Sequence, residues 1–304
     1  MKLSVVLWIL FALSLFGQTL YFSPNGDLAL TIYDPFITVK PTNPNEIGLF
    51  KILTSNSLLQ ILSVNLTQST DLLTFSKLIG IQLVGAEEGA IGLTQVDNLQ
   101  LFFRRFSLDI SGTKSEAFQV IFVRFQKGYV MTYYSTEEDF HRYLVSALLS
   151  MSSVKTASIQ QEYLNEQYEY SVSLVKPFEV IQPTEGEIGS FIALQDTKAG
   201  YIQVVKEELS RKLSAQEYAK LVEKNSLVNL SEYKELSNGK NLVQGNEFHW
   251  RIFQFSSKGF SYRCLQAYVL LDNIAYTLTY MAKTQEFDQF IFPAIYTVFS
   301  FKKR

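Results

Sequence analysis

The chain repeats itself, and that repeat limits the fold more than any other feature. Pro35 and Phe36, then Pro41 and Thr42, then Glu46, Ile47, Gly48 and Phe50 recur as Pro177, Phe178, Pro183, Thr184, Glu187, Ile188, Gly189 and Phe191, with one residue fewer in the second Pro-Thr loop. A second block aligns without gaps at an offset of 147. It matches Arg104 with Arg251, Phe106 with Phe253, Gly112 with Gly259, Gln119 with Gln266 and Tyr129 with Tyr276. It continues through Thr132 and Thr279, Tyr133 and Tyr280, Phe140 and Phe287, and Ala147 and Ala294. Single identities of this kind are weak, but their collinear order is hard to obtain by chance, so the chain must build one supersecondary unit twice.

At 304 residues the length suits two domains. With 47% apolar residues the chain can fill two cores and is not a disordered polymer. The expected division is a signal segment over 1–19, copy one over 20–155, a polar linker over 156–167 that is also compatible with a short helix, and copy two over 168–304.

Each copy reads alike. An extended segment is expected over 28–39 and 168–181, a strand over 47–53 and 188–194, and another over 58–66 and 201–207, from alternation and β-branched content. A helix follows. Ser214 and Glu217 form a capping box in copy two, and Asp71 holds the aligned N-cap position in copy one. Strands over 99–110 and 247–256 come next. A hairpin follows, clearest over 263–281, where Asp272 and Asn273 tolerate the positive φ of a two-residue turn.

A second helix closes each copy. Phe140, Tyr143, Leu144, Ala147, Leu148 and Met151 form its apolar stripe in copy one. Phe287, Phe290, Ile291, Ala294, Ile295 and Val298 repeat the stripe in copy two. Thr136 with Asp139, and Thr284, are the expected caps, and Pro293 predicts a late start or a kink. The fold class is therefore α+β: two tandem copies of an antiparallel sheet packed with helices.

The residues Ala275, Tyr276, Leu278, Thr279, Tyr280 and Ala282, then Phe287, then Val298, Phe299, Ser300 and Phe301, resemble the PsbP/DcrB-like superfamily, whose members include a Ran-binding nuclear import factor. Its late strand carries a Tyr-x-Leu-Thr pattern and its chain closes on Ser-Phe. Copy one keeps Tyr129 and Tyr133 but ends Ser152, Ser153, Val154, departing from Ser-Phe. The resemblance covers about half of the chain, twice. It implies a PsbP-like sheet between helices and a non-enzymatic binding or assembly role. The relatives' roles diverge so widely that no partner is carried over.

Lys2 followed by an apolar run over 3–16 is a secretory signal pattern, with cleavage expected near Gly17. The run is short of the ~20 residues of a membrane helix. The mature chain is accordingly expected to be secreted or periplasmic without a membrane span, with an uncleaved N-terminal anchor as the alternative. The formal net charge of -2 gives no general attraction to nucleic acid. Cys264 is the sole cysteine, which excludes an intrachain disulfide and cysteine-based zinc sites; it reads as a small buried side chain.

No catalytic, cofactor or metal constellation stands out. His141 and His249 occupy non-equivalent positions in the repeat. Gly112 to Ser115 mimics the end of a P-loop but reads as a hairpin turn. Glu87 with Glu88, Glu185 with Glu187, and Glu207 with Glu208 read as solvated carboxylates. Asn65 and Asn229 head formal glycosylation triplets. The aromatics, 24 Phe and 17 Tyr, are mostly expected in cores.

The sequence therefore points to a non-enzymatic binding or scaffold protein of the envelope or exterior, with a protein or envelope partner. A small-molecule binder or hydrolase working between the copies is the alternative. Its candidate polar cluster is His249, Arg251 and Arg263, for which no acidic partner stands at clear spacing.

Overall fold

A computed structural model describes residues 18–24, 28–66, 70–81, 85–96, 99–110, 112–124, 126–154, 162–174, 177–243 and 245–304. The chain divides into two compact units, residues 1–159 and 160–304. The segment read as a signal lies mostly outside the described residues. Gln18 and Thr19, at its end, already pair with Tyr33 and Ile32 in a strand.

In the first unit β1 (Gln18–Phe22) and β2 (Ala29–Tyr33) form a two-stranded sheet. The main sheet takes β3 (Ile37–Thr38), β4 (Glu46–Lys51) and β5 (Leu58–Asn65), then α1 (Leu72–Ile81). It continues with β6 (Glu87–Val96), β7 (Leu99–Ile110), β8 (Thr113–Arg124) and β9 (Lys127–Thr136), and α2 (Glu137–Ser152) closes the unit. The spatial order is β3-β4-β5-β9-β8-β7-β6, antiparallel throughout.

The second unit repeats this plan. β10 (Glu162–Asn165), β11 (Tyr170–Ser173) and the late β19 (Lys302–Lys303) make a small sheet. The main sheet holds β12 (Phe178–Ile181), β13 (Gly189–Gln195) and β14 (Lys198–Glu208). After α3 (Ala215–Asn225) come β15 (Lys234–Val243), β16 (Asn246–Ser257), β17 (Phe260–Leu271) and β18 (Ile274–Lys283), and then α4 (Phe287–Phe299). The order β12-β13-β14-β18-β17-β16-β15 matches the first unit strand for strand.

Strand alternation sends successive residues to opposite faces. On one face of the first sheet Phe118, Phe122 and Tyr133 are buried together with α2, whose whole stripe from Phe140 to Met151 is buried. The other face carries Ile121 and Val130 under Leu72 and Phe75 of α1. A Cβ on Gly128 would fall inside the Phe75 ring, so only glycine admits that side chain. In the second unit Tyr218 packs instead on Ala275, the residue aligned with Gly128.

The α4 stripe is likewise fully buried, and the helix continues through Pro293. It starts at Phe287, well before the proline, so the late start expected from Pro293 does not occur.

Four expectations differ. Thr136 makes no cap bond; Asp139 instead accepts the Ser55 hydroxyl at 2.6 Å, and the acidic first turn of α2 faces the helix dipole unaided. Thr284 bonds Ser261 rather than capping α4, because the helix begins after Glu286. β6 and β15, for which no strand was expected, form one edge of each main sheet; β6 buries Gly92 and Thr94 and exposes Ile91 and Leu93, and β15 is largely polar, so neither shows the expected apolar alternation. Within 156–167, read as linker, Glu162–Asn165 is a strand paired with β11.

The predicted Ser214 capping box has both of its bonds. Asp71 accepts the Thr74 backbone N–H at 2.9 Å. Asp272 adopts φ 59 in the expected turn. Gly112, with φ 84, turns β7 into β8, as the hairpin reading of that segment requires.

The departure of copy one from Ser-Phe has a structural answer. Ser300 Oγ accepts the Ser173 N–H at 2.7 Å, tying the end of α4 to β11, and donates to Thr297 O. Ser153, aligned with Ser300, accepts the Thr31 N–H at 2.7 Å and donates to Ser150 O. The serine does the same job in both copies, and buried Val154 stands where copy two has Phe301.

Candidate functional site

The repeat places one arginine at the same point of each sheet. Arg104 on β7 and Arg251 on β16 project from the face that carries the first helix, and both are buried. Burying a guanidinium is costly unless it is paired and hydrogen-bonded. The two copies solve this differently.

In the second unit Arg251 is enclosed by protein. Its Nη1 lies 3.0 Å from Glu223 of α3, 3.3 Å from Glu235 of β15 and 3.1 Å from the Tyr233 hydroxyl. Its Nη2 donates to Ala219 O at 2.9 Å. Burial alone would depress this guanidinium; Tyr268, Tyr233 and Glu223 outweigh it and hold its pKa above the usual value. Leu227, Leu230 and Tyr233 pack over Phe253 beside it. Tyr268 donates its hydroxyl to Gln266, so that amide oxygen is engaged away from the arginine.

In the first unit the residue aligned with Tyr268 is Ile121, which has no hydroxyl. The oxygen of Gln119 therefore accepts from Arg104 Nε and Nη2, at 2.9 and 2.6 Å, while its amide nitrogen donates to Thr132. Nη1 points the other way. Its carboxylate partner is Glu88 of β6 at 3.8 Å, and the Glu88 side chain is 56% exposed. Burial pushes the Arg104 pKa down, with Glu88 only partly opposing it.

Beyond Nη1 opens a cleft of 690 Å³, lined by Leu73, Ser76, Lys77 and Gly80 of α1, by Ala86, Glu88 and Ile91, and by Phe102, Arg104 and Phe106 of β7. Phe102 and Phe106 flank the guanidinium, 6.0 and 5.9 Å from their ring centres. Leu73 and Ile91 are large apolar side chains left exposed at the rim.

Glu88 and Glu235 are themselves aligned at the offset of 147, and in both copies the strand register shifts just beyond them. Such a bulge re-aims a side chain. Glu88 remains a solvated carboxylate at a strand end, as expected from its sequence, and is in addition a distant ion-pair partner of Arg104.

The cluster expected from sequence is only partly assembled. His249 and Arg251 share one face of β16, and the His249 ring lies 6.4 Å from that of Tyr268. Burial, then Arg251, lowers the His249 pKa, which keeps the imidazole neutral near pH 7. Arg263 projects from the opposite face, where its guanidinium lies 5.5 Å from the Phe287 ring. Arg251 also has acidic partners that no clear spacing announced: Glu223 approaches from a helix, and Glu235 from across a bulge. Arg104, Gly80, Glu223 and Glu235 were not singled out as site residues. The alignment of Arg104 with Arg251 was the signal for the first of them.

The other candidates are structural. His141 sits in the first turn of α2 with its ring 5.5 Å from Phe140. Cys264 is buried and its thiol pKa is pushed up by burial. Glu187 accepts from Ser190, Tyr201 and the Thr184 backbone, and Glu207 accepts from Tyr218. Among the described residues no group of three or more His, Cys, Asp and Glu is placed to hold a metal ion. No described helix is long and apolar enough to cross a membrane.

No family model matches the chain, and no curated protein matches it. Among solved structures it is similar to the PsbP protein CyanoP of Synechocystis sp. PCC 6803, at 11% identity and a TM-score of 0.36, over 49% of this chain and 96% of that one. It is similar to LpqN, involved in cell envelope biogenesis of Mycobacterium tuberculosis, at 11% identity and a TM-score of 0.38, over 47% and 90%. It is also similar to the Ran-binding protein Mog1p of Saccharomyces cerevisiae, at 10% identity and a TM-score of 0.37, over 48% and 95%. Each match spans about one copy of the repeat. These likenesses concern the fold alone.

Proposed function

We propose that this chain is an exported, non-enzymatic binding protein of the cell envelope or exterior, and that it holds its ligand in the cleft beneath α1 of the first unit. One observation carries the reading: the same buried arginine is enclosed by internal partners in one copy and left at the foot of an open, largely apolar cleft in the other. Apolar walls with a few convergent polar groups are the usual make-up of a ligand site. In the second unit His249 and Arg251 are then part of the packing. Export is supported by Lys2 and the apolar run over 3–16.

The binding site is tested by a photo-reactive amino acid introduced into the full chain in its native host. At Leu73 or Ile91 it should form a covalent adduct. At the aligned positions of the second copy, Gln216 and Asn238, it should not. Adducts at neither pair, or equal yields at both, refute the reading. Export has its own readout: N-terminal sequencing is expected to begin near Gly17, whereas a retained Met1 identifies an anchored protein.

A further inference from the structure

The second copy shows what the arginine of the first one lacks. The N-caps Asp71 and Ser214 set the helices in register, and counting from them aligns Gly80 with Glu223. Glu223 brings its carboxylate to 3.0 Å from Arg251 Nη1. A Cβ built on Gly80 would stand 2.9 Å from Arg104 Nη1, too close for the two to coexist unmoved, so Nη1 packs against the bare helix backbone at position 80. Copy one therefore holds glycine where copy two holds a carboxylate paired with a buried cation. The stretch from Gly80 to Glu88 is also four residues shorter than that from Glu223 to Glu235, and the segment that carries Tyr233 over Arg251 falls within the longer one.

Resting on the assignment of this cleft as a binding site, we propose that it takes a small carboxylic acid with an apolar body, whose carboxylate docks on Arg104 Nη1 where Glu223 sits in the second copy. The geometry supplies each part. Arg104 offers a buried donor already held in place by Gln119, at 2.9 and 2.6 Å. Lys77 adds a second cation among the lining residues against the one carboxylate of Glu88. Leu73, Ile91, Phe102 and Phe106 receive the apolar body. A volume of 690 Å³ lies within the range of small-molecule sites. The apolar walls lower the local dielectric and strengthen the charge-assisted hydrogen bonds.

The test is isothermal titration calorimetry of the full chain with decanoate, using decan-1-ol as the uncharged probe of the same length. Decanoate should bind about 30-fold or more tightly than the alcohol, the ratio expected of a desolvated charge pair. Gly80→Glu places the missing carboxylate on the helix, where the Arg104 guanidinium must shift to admit its Cβ, and the folded variant should bind decanoate more weakly by about 30-fold or more. Arg104→Gln should remove the preference for acid over alcohol. Should that variant fail to fold, Gly80→Glu decides alone. Equal binding of the two probes, no binding of decanoate, or a Gly80→Glu protein that binds decanoate like the parent chain overturns the proposal. Adducts at Leu73 or Ile91 without decanoate binding would refute the carboxylate while leaving the cleft a binding site; failure of both experiments removes both.

Discussion

Phe287→Ala should cost about 3–5 kcal/mol in a denaturant melt, the range for truncating a fully buried phenylalanine. Phe287 opens the apolar stripe of α4 and has 0% of its surface exposed. Its ring lies 5.0 Å from that of Tyr280, with the Arg263 guanidinium over it at 5.5 Å. Its carbonyl accepts the Tyr280 hydroxyl at 2.7 Å, so the helix start is pinned to the sheet by both packing and a hydrogen bond. Copy one repeats the arrangement, with Phe140 5.3 Å from Tyr133, its carbonyl accepting at 3.0 Å, and a cation 5.0 Å from the ring. That cation is Arg105 of β7, where copy two uses Arg263 of the next strand. The two tryptophans are Trp8 and Trp250, and Trp250 is buried in the second sheet, so fluorescence of a chain without residues 1–16 follows that unit. A loss under about 0.5 kcal/mol, as at surface sites, would mean that α4 does not belong to the core.

Glu223→Gln combined with Glu235→Gln is the second large effect, expected at about 3 kcal/mol. It removes both carboxylates from Arg251 and leaves a buried cation without a counter-ion, for which losses of about 3–5 kcal/mol are typical. The lower figure applies because water reaches both carboxylates, whose side chains are 34% and 26% exposed. Adding Arg251→Met should recover most of the loss, since an apolar side chain there needs no counter-charge. No recovery in the triple variant would show that the glutamates act through packing rather than charge. The matching change in the first unit, removal of Glu88, should matter far less, because that carboxylate stands 3.8 Å away and half in water.

Much of the architecture was legible because it rests on local rules. The Ser214 box, the Asp272 turn and the two helix stripes each lie within a few consecutive residues, where backbone geometry and side-chain spacing decide the outcome. The failures share a different cause. Thr136 and Thr284 had the chemistry to cap a helix, but Asp139 was claimed by Ser55, and Glu286 displaced the start of α4. The edge strand β6 hides its alternation because Gly92 and Thr94 take buried positions while Ile91 and Leu93 stay exposed, and β15 is largely polar. Arg263 was grouped with His249 and Arg251 by polarity, yet pairing sets Arg263 opposite Gln254 and Ala282, one step out of phase with His249 and Arg251.

By itself, then, the sequence determined that one unit is built twice, in which order its elements run, and that Arg104 and Arg251 occupy the same place in both. Which arginine would meet two close carboxylates was decided only by the tertiary structure. The choice depends on a helix position, a bulge and a neighbouring strand meeting at one guanidinium: Glu223 against Gly80, Glu235 against Glu88, Tyr268 against Ile121. Electrostatic pairing falls off over a few ångströms. Residues far apart in the chain reach that range only once the helix has settled on the sheet, so the closed site and the open cleft look alike until the chain is folded.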